Sequence, residues 1–223
     1  MKKQVSVNPA KNREKEFTAL VVVASLLTAI YLTSNVMAVK VITIGSVALF
    51  DAGTITFPFA YMLGDALTEV WGFKISKKVI FLTLFCNILM VAGTALGLVL
   101  PAPDYMSATN EAYGVIFGYV PRIVAASLIA FLIGEITNAW VLVKIREKTG
   151  ENHLWARLIG SSAVGYLFDT TIFVLVAFAG TSPVADLISM IGIQYFAKLG
   201  IEAVCGTPLA YGLIGYLKKK INI

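Results

Sequence analysis

The chain has 223 residues, 58% of them apolar, and a mean hydropathy of +0.81, more than a water-soluble core needs. Its formal charge of +5 is gathered in short Lys/Arg clusters beside apolar runs, which is the pattern of membrane topology and argues against a nucleic-acid partner. Cys86 and Cys205 both lie in apolar segments without metal-ligand spacing, so neither a metal nor a cofactor is expected.

A crossing takes about 20 residues, so the length admits six or seven spans and leaves no room for a sizeable soluble domain. The apolar runs predict an all-α integral membrane protein, a single domain over 1–223 with six helices. Residues 1–16 form a basic arm. The first span covers Phe17 to Val39; Val36-Met37-Ala38 resembles a signal-peptide cleavage site, but the apolar stretch before it is longer than such leaders carry. The second span covers Thr54 to Trp71 and holds Pro58, which should kink or start the helix inside the membrane. The third covers Val79 to Leu100, the fourth Tyr113 to Lys144 and the fifth Trp155 to Ala179. The sixth, Ile188 to Leu217, carries a second break at Gly206-Thr207-Pro208.

Lys and Arg set the orientation. They cluster in the N-terminal arm, at Lys74, Lys77 and Lys78, at Lys144, Arg146 and Lys148, and at Lys218 to Lys220. The loops Pro101 to Ala112 and Gly180 to Leu187 contain neither residue, so both termini are expected in the cytoplasm, with the protein multi-pass in the inner, or cell, membrane.

Inside the spans stand Asp65, Glu69, Arg122, Glu135, Asp169, Lys198 and Glu202. A charge at the centre of a lipid-facing helix costs roughly 2.5 to 3.5 kcal/mol even on a lenient scale, so these groups are expected to face one another or water. Asp169 and Lys198 lie about 11 or 12 residues, roughly 17 Å, from the turn joining the last two spans, which makes them level and able to pair. Asp65 and Glu69, four residues apart, concentrate negative charge on one face, and Lys198 and Glu202 share a face in the same way. Phe57, Phe59, Tyr61, Trp71, Tyr166 and Phe168 are close in sequence to the acids, where a flat heteroaromatic solute would stack. Buried ion pairs that merely fix helix register would give the same pattern. Gly64-Asp65 and Gly134-Glu135 hint at internal symmetry, and His153 reads as an ordinary exposed histidine.

Thr33-Ser34-Asn35, Phe57-Pro58-Phe59 with Asp65, Glu69 and Gly72, Arg122-Ile123 with Ala126-Ser127, Ser161-Ser162 with Asp169-Thr170 and Phe173, and Lys198 followed by Pro208 and Tyr211-Gly212 occur in an order and spacing that resembles the queuosine precursor transporter family, also called the vitamin uptake transporter family. The resemblance covers nearly the whole chain. It implies six helices and import of 7-deazaguanines, 7-cyano-7-deazaguanine and its aminomethyl relative, through the bilayer to the cytoplasm for queuosine synthesis. Together with the intramembrane charges and aromatics, the resemblance gives an expected substrate site drawn from Asn35, Phe57, Phe59, Tyr61, Asp65, Glu69, Arg122, Asp169, Lys198 and Glu202. A carboxylate accepts the adjacent N–H and amine of a guanine-like edge in a bidentate way, and Asn, Arg or Lys donates to its carbonyl. The second helix is expected to supply the main recognition face, with Asp65 as its carboxylate. The chain departs from the family at Glu135, where relatives often carry Gln, and at Asn138, where many carry Asp.

Two other readings stand beside this one. The first is a substrate-binding subunit of an ATP-driven vitamin importer, since the chain has no Gly-x-x-x-x-Gly-Lys phosphate loop of its own. The second is an intramembrane aspartyl protease built on Asp65 and Asp169, which leaves Arg122 and Lys198 without a role. The transporter reading makes the chain no enzyme and leaves a homo-oligomer open.

Overall fold

The computed structural model describes residues 9–44, 47–118, 121–150, 152–180 and 183–221. Helix α1 (Pro9–Met37) leads through a short antiparallel hairpin, β1 (Val41–Ile44) and β2 (Val47–Asp51), into α2 (Gly53–Trp71). Then follow α3 (Phe73–Val99), α4 (Ser107–Gly118), α5 (Pro121–Thr149), α6 (Leu154–Phe178), α7 (Val184–Ile201) and α8 (Thr207–Ile221). A π-helical turn, Glu202–Gly206, joins the last two.

Polarity is arranged inside out. Asp65, Glu69, Thr83, Asn87, Glu135, Asn138, Arg157, Ser161 and Glu202 are buried, whereas Phe81, Phe85, Leu89, Ile133, Trp140 and Phe196 lie on the outside. With lipid as solvent this is the favourable arrangement, because exposed apolar groups lose nothing and polar groups are kept out of the hydrocarbon. Among the described residues, five helical stretches are long and apolar enough to cross a bilayer: Asn12–Met37, Phe73–Val99, Ala125–Thr149, Leu154–Phe178 and Leu187–Ile221. The protein is thus an all-α, multi-pass membrane protein with a small hairpin added.

Helix α2 is the centre. Fifteen of its 19 residues are buried, and it touches α1, α3, α5, α6, α7 and α8. Asp51 starts it by accepting hydrogen bonds from the backbone N–H (3.1 Å) and the hydroxyl (3.1 Å) of Thr54, which satisfies a donor that a helix N-terminus leaves without an internal partner. Pro58 neither starts nor ends it, but sits inside, where its ring removes the hydrogen bond to the Thr54 carbonyl.

The structure refines two expectations. The fourth expected span, Tyr113 to Lys144, is described in two stretches, α4 to Gly118 and α5 from Pro121, with residues 119 and 120 outside the described residues; proline, having no N–H, suits the first turn of α5. The break at Gly206-Thr207-Pro208 takes the form of the π turn, in which the Thr207 N–H bonds to the Glu202 carbonyl five residues back and makes room for Pro208.

Between α2 and α3 a single residue, Gly72, reverses the chain at φ 79° and ψ 167°, a region closed to side chains. No atom lies within 4 Å of where a methyl would stand, so a substitution meets only the backbone penalty. Gly72→Ala should therefore cost about 1 to 3 kcal/mol, read as a lower unfolding temperature in detergent, while Gly93→Ala, inside α3 with equally open surroundings, should not.

Candidate functional site

The polar interior divides into three levels along the bundle, set by where α2, α5, α6, α7 and α8 place their polar side chains. At the level nearest the hairpin, Lys198 of α7 donates to Asp169 Oδ2 of α6 at 2.6 Å and to Thr170 Oγ1 at 3.4 Å. The two helices flank one short turn and carry these residues at equal depth, as the spacing predicts. Asp169 Oδ1 accepts no hydrogen bond from the described residues. The Lys198 ammonium also sits 4.7 Å from the centre of the Phe57 ring, an attraction between cation and ring face. Ser127 of α5 donates to Asn35 Oδ1 of α1 at 2.6 Å, and Asn35 Nδ2 donates to the Tyr31 carbonyl at 3.1 Å. Gln194, one turn before Lys198, is buried with its Oε1 unpartnered.

Asn35, Asp51, Phe57, Asp169, Gln194 and Lys198 line one cleft. Its free space is about 30 Å³, room for a water or two. The cleft is contracted, and a bicyclic solute enters only if its walls part.

The central level holds Asp65, Glu135 and Glu202. Asp65 accepts from Asn138 Nδ2 at 2.7 Å and, at the long limit of 3.5 Å, from Ser162. Tyr166 donates to Glu202 Oε2 at 3.0 Å, and its ring lies 4.4 Å from that of Tyr61. Gly64 and Gly134 meet here in a reciprocal way: the Glu135 carboxyl lies over Gly64, and the Tyr61 hydroxyl and Asp169 Cβ lie over Gly134. Only hydrogen at these two positions lets α2, α5 and α6 approach this closely.

The third level is an ion cluster. Glu69 Oε1 accepts from Arg157 Nη2 at 2.8 Å and Lys218 at 3.4 Å, with Arg146 Nη1 at 3.9 Å. Arg146 also donates to the Glu69 carbonyl at 2.9 Å. Arg157, only 1% exposed, in addition holds the turn before α6 through the Gly150 (2.8 Å) and Asn152 (2.6 Å) carbonyls.

The expected site residues are therefore dispersed. Asn35, Phe57, Asp169 and Lys198 share the cleft; Tyr61, Asp65 and Glu202 lie below it; Glu69 belongs to the ion cluster. Asp65 and Glu69 do not act as one acidic patch, because one turn of helix gives them different partners, an amide for the first and three cations for the second. Phe59 packs at the edge of the apolar core and Phe168 is 45% exposed on the outside. The side chain of Arg122 lies outside the described residues. Asp51, Gln194 and Arg157 join the polar interior without having been expected there. Gln194, Lys198 and Glu202 form a four-residue polar periodicity in an apolar helix, which marks the first of them. Arg157 carries no such mark, since it stands near a basic connection.

Residues 51–213 match the family model described as "Putative vitamin uptake transporter". The chain is 30% identical over 160 residues to a "Probable queuosine precursor transporter" of Bacillus subtilis, covering 71% of this chain and 69% of the relative. It is 25% identical over 166 residues to a protein of the same description in Haemophilus influenzae, covering 73% and 67%. A "Queuosine precursor transporter" of Escherichia coli is 24% identical over 176 residues, covering 76% and 75%. No solved structure matches.

The ion cluster predicts an asymmetry in stability. Arg157→Ala leaves the Glu69 carboxylate without its shortest contact and should cost about 3 to 5 kcal/mol, the usual penalty for breaking a buried pair. Lys144→Ala, which removes an exposed pair with Glu147 (2.7 Å), should cost under about 1 kcal/mol. Thermal unfolding of both variants in detergent measures the difference.

Proposed function

The chain belongs to the vitamin uptake transporter family and is a membrane transporter, and on that premise we propose that it imports a 7-deazaguanine precursor of queuosine into the cytoplasm. Its work is then transport, not catalysis. The observation that carries the reading is the Asp169–Lys198 pair held against the face of Phe57 in the cleft. A flat base stacks on that ring, its N–H and exocyclic amine bond to the carboxylate of Asp169, and its carbonyl accepts from Lys198 or Asn35. The recognition carboxylate thus comes from the fifth span and not from Asp65.

In this reading α2, the second span, completes the six, its 19 residues reaching roughly 28 Å. Both termini lie in the cytoplasm, and the basic-poor loops face outward in the inner membrane. The cleft then opens outward, and the Glu69 cluster closes the cytoplasmic end. Import requires the cleft walls to part for the solute and the ion cluster to part for its release.

Two measurements test this. Asp169→Asn puts a donor against the donors of the base, a loss of about 1 to 3 kcal/mol, or roughly tenfold to over a hundredfold in affinity for 7-cyano-7-deazaguanine. Asp65→Asn should weaken binding much less; the reverse order returns recognition to α2. For orientation, a cysteine placed at Thr109, in a background without Cys86 and Cys205, should react with an impermeant reagent on intact cells. One at Asn152 should react only after permeabilisation, and the opposite pattern inverts the topology.

A further inference from the structure

Among the described residues the spans bury five acids, with Asp51 at the cleft mouth a sixth, and ion pairs serve two of the five: Glu69 meets Arg157, Lys218 and Arg146, and Asp169 meets Lys198. Asp65, Glu135 and Glu202, each fully buried, have no cation within ion-pair distance among the described residues. Glu135 is the extreme case, because neither of its oxygens has a hydrogen-bond partner. A carboxylate left thus in a dry interior costs several kcal/mol, whereas a carboxylic acid carries its own neutralising proton.

The surroundings point the same way. The Tyr61 hydroxyl of α2, also fully buried and unpartnered, stands at the Gly134–Glu135 step of α5. Among the described residues, Asp65 of α2, Asp169 of α6 and Glu202 of the π turn are the titratable groups that act on Glu135, and Tyr166 of α6 lies against Tyr61. Helix α3, the other neighbour of α5, has its lysines Lys74, Lys77 and Lys78 near its start, at the end of the bundle that holds the ion cluster. No three acidic, histidine or cysteine side chains among the described residues converge closely enough to hold a metal ion. The chemistry left is that of a proton.

We propose that Glu135 is a proton-binding site at the centre of the transporter, with the Tyr61 hydroxyl as its relay, and that solute import is coupled to the movement of this proton. The coupling rests on the transport reading above; the proton site does not. The connection to the solute cleft is short: Gly134 packs on Asp169 Cβ, at a separation that would bring a methyl within 2.6 Å. A shift of α6 at Asp169 when solute binds therefore moves the backbone beside Glu135. Opening that contact to water lets the carboxyl release its proton, and closing it restores the neutral acid.

Infrared spectroscopy of the lipid-reconstituted protein at neutral pH reads the site directly. The parent should show the carbonyl stretch of protonated carboxylic acids, with one component lost in Glu135→Gln and displaced, not lost, in Glu135→Asp and Tyr61→Phe. A band unchanged in Glu135→Gln overturns the site. Proteoliposomes containing a pH dye read the coupling. The parent should acidify the lumen as 7-cyano-7-deazaguanine enters, whereas Glu135→Gln should still exchange labelled for unlabelled base but lose both acidification and uphill accumulation. Base entry without acidification in the parent, acidification retained in Glu135→Gln, or uptake that stops when choline replaces sodium overturns coupling to the proton. If the parent moves no base while the band still vanishes in Glu135→Gln, the transport reading fails and the proton site stands.

Discussion

Everything in this fold answers to one constraint: α2 carries two acids through the middle of a bundle whose outer surface is apolar. Asp65 and Glu69 cannot face lipid, so six other helices are arranged around the one that carries them. The cover is chemically graded. An amide and a hydroxyl meet Asp65, while two arginines and a lysine converge on Glu69. The small residues of the interior follow from the same demand, since Gly64 and Gly134 are the points where a carboxyl and a tyrosine hydroxyl replace the side chains that would otherwise keep the backbones apart.

The grading divides the work of a carrier along its axis. At one end a carboxylate and an ammonium sit on an aromatic face, groups able to read the edge and plane of a base. At the other end four charges from four helices tie the bundle shut. Between them lies a layer with acids but, among the described residues, no cations paired to them, and it separates the two ends. A solute that loosens one end need not loosen the other, which is the condition for never opening both at once.

The helices were legible because membrane spans are written as composition: the expected second span, Thr54 to Trp71, differs by one residue from α2. The Asp169–Lys198 pair was legible because depth below a shared turn is simple arithmetic. The five-residue hydrogen bond of the π turn was not, because hydropathy is blind to which carbonyl an N–H reaches. The separation of Asp65 from Glu69 was hidden for another reason. Shared helical phase places two side chains on one face, but it does not say which neighbours press against each turn of that face. Arg157 was hidden by its position near a charged connection, where burial depends on how the α5–α6 turn folds back.

The last span is, mechanically, two rods. The π turn at Glu202–Gly206 is a stored extra residue, and such a turn can pass its slack to its neighbours by exchanging one set of backbone bonds for another. The rod before it carries Lys198, and the rod after it carries Lys218. A continuous helix would make these two lysines a single lever, so that any tilt at the Asp169–Lys198 cleft would drag the ion cluster with it. The slack lets the first rod swing while the second stays anchored, whereas Gly72, a single-residue link, binds α2 and α3 into one stiff body. The molecule thus has a rigid frame on one side and a jointed arm on the other, and the joint falls at the level of the unpaired acids.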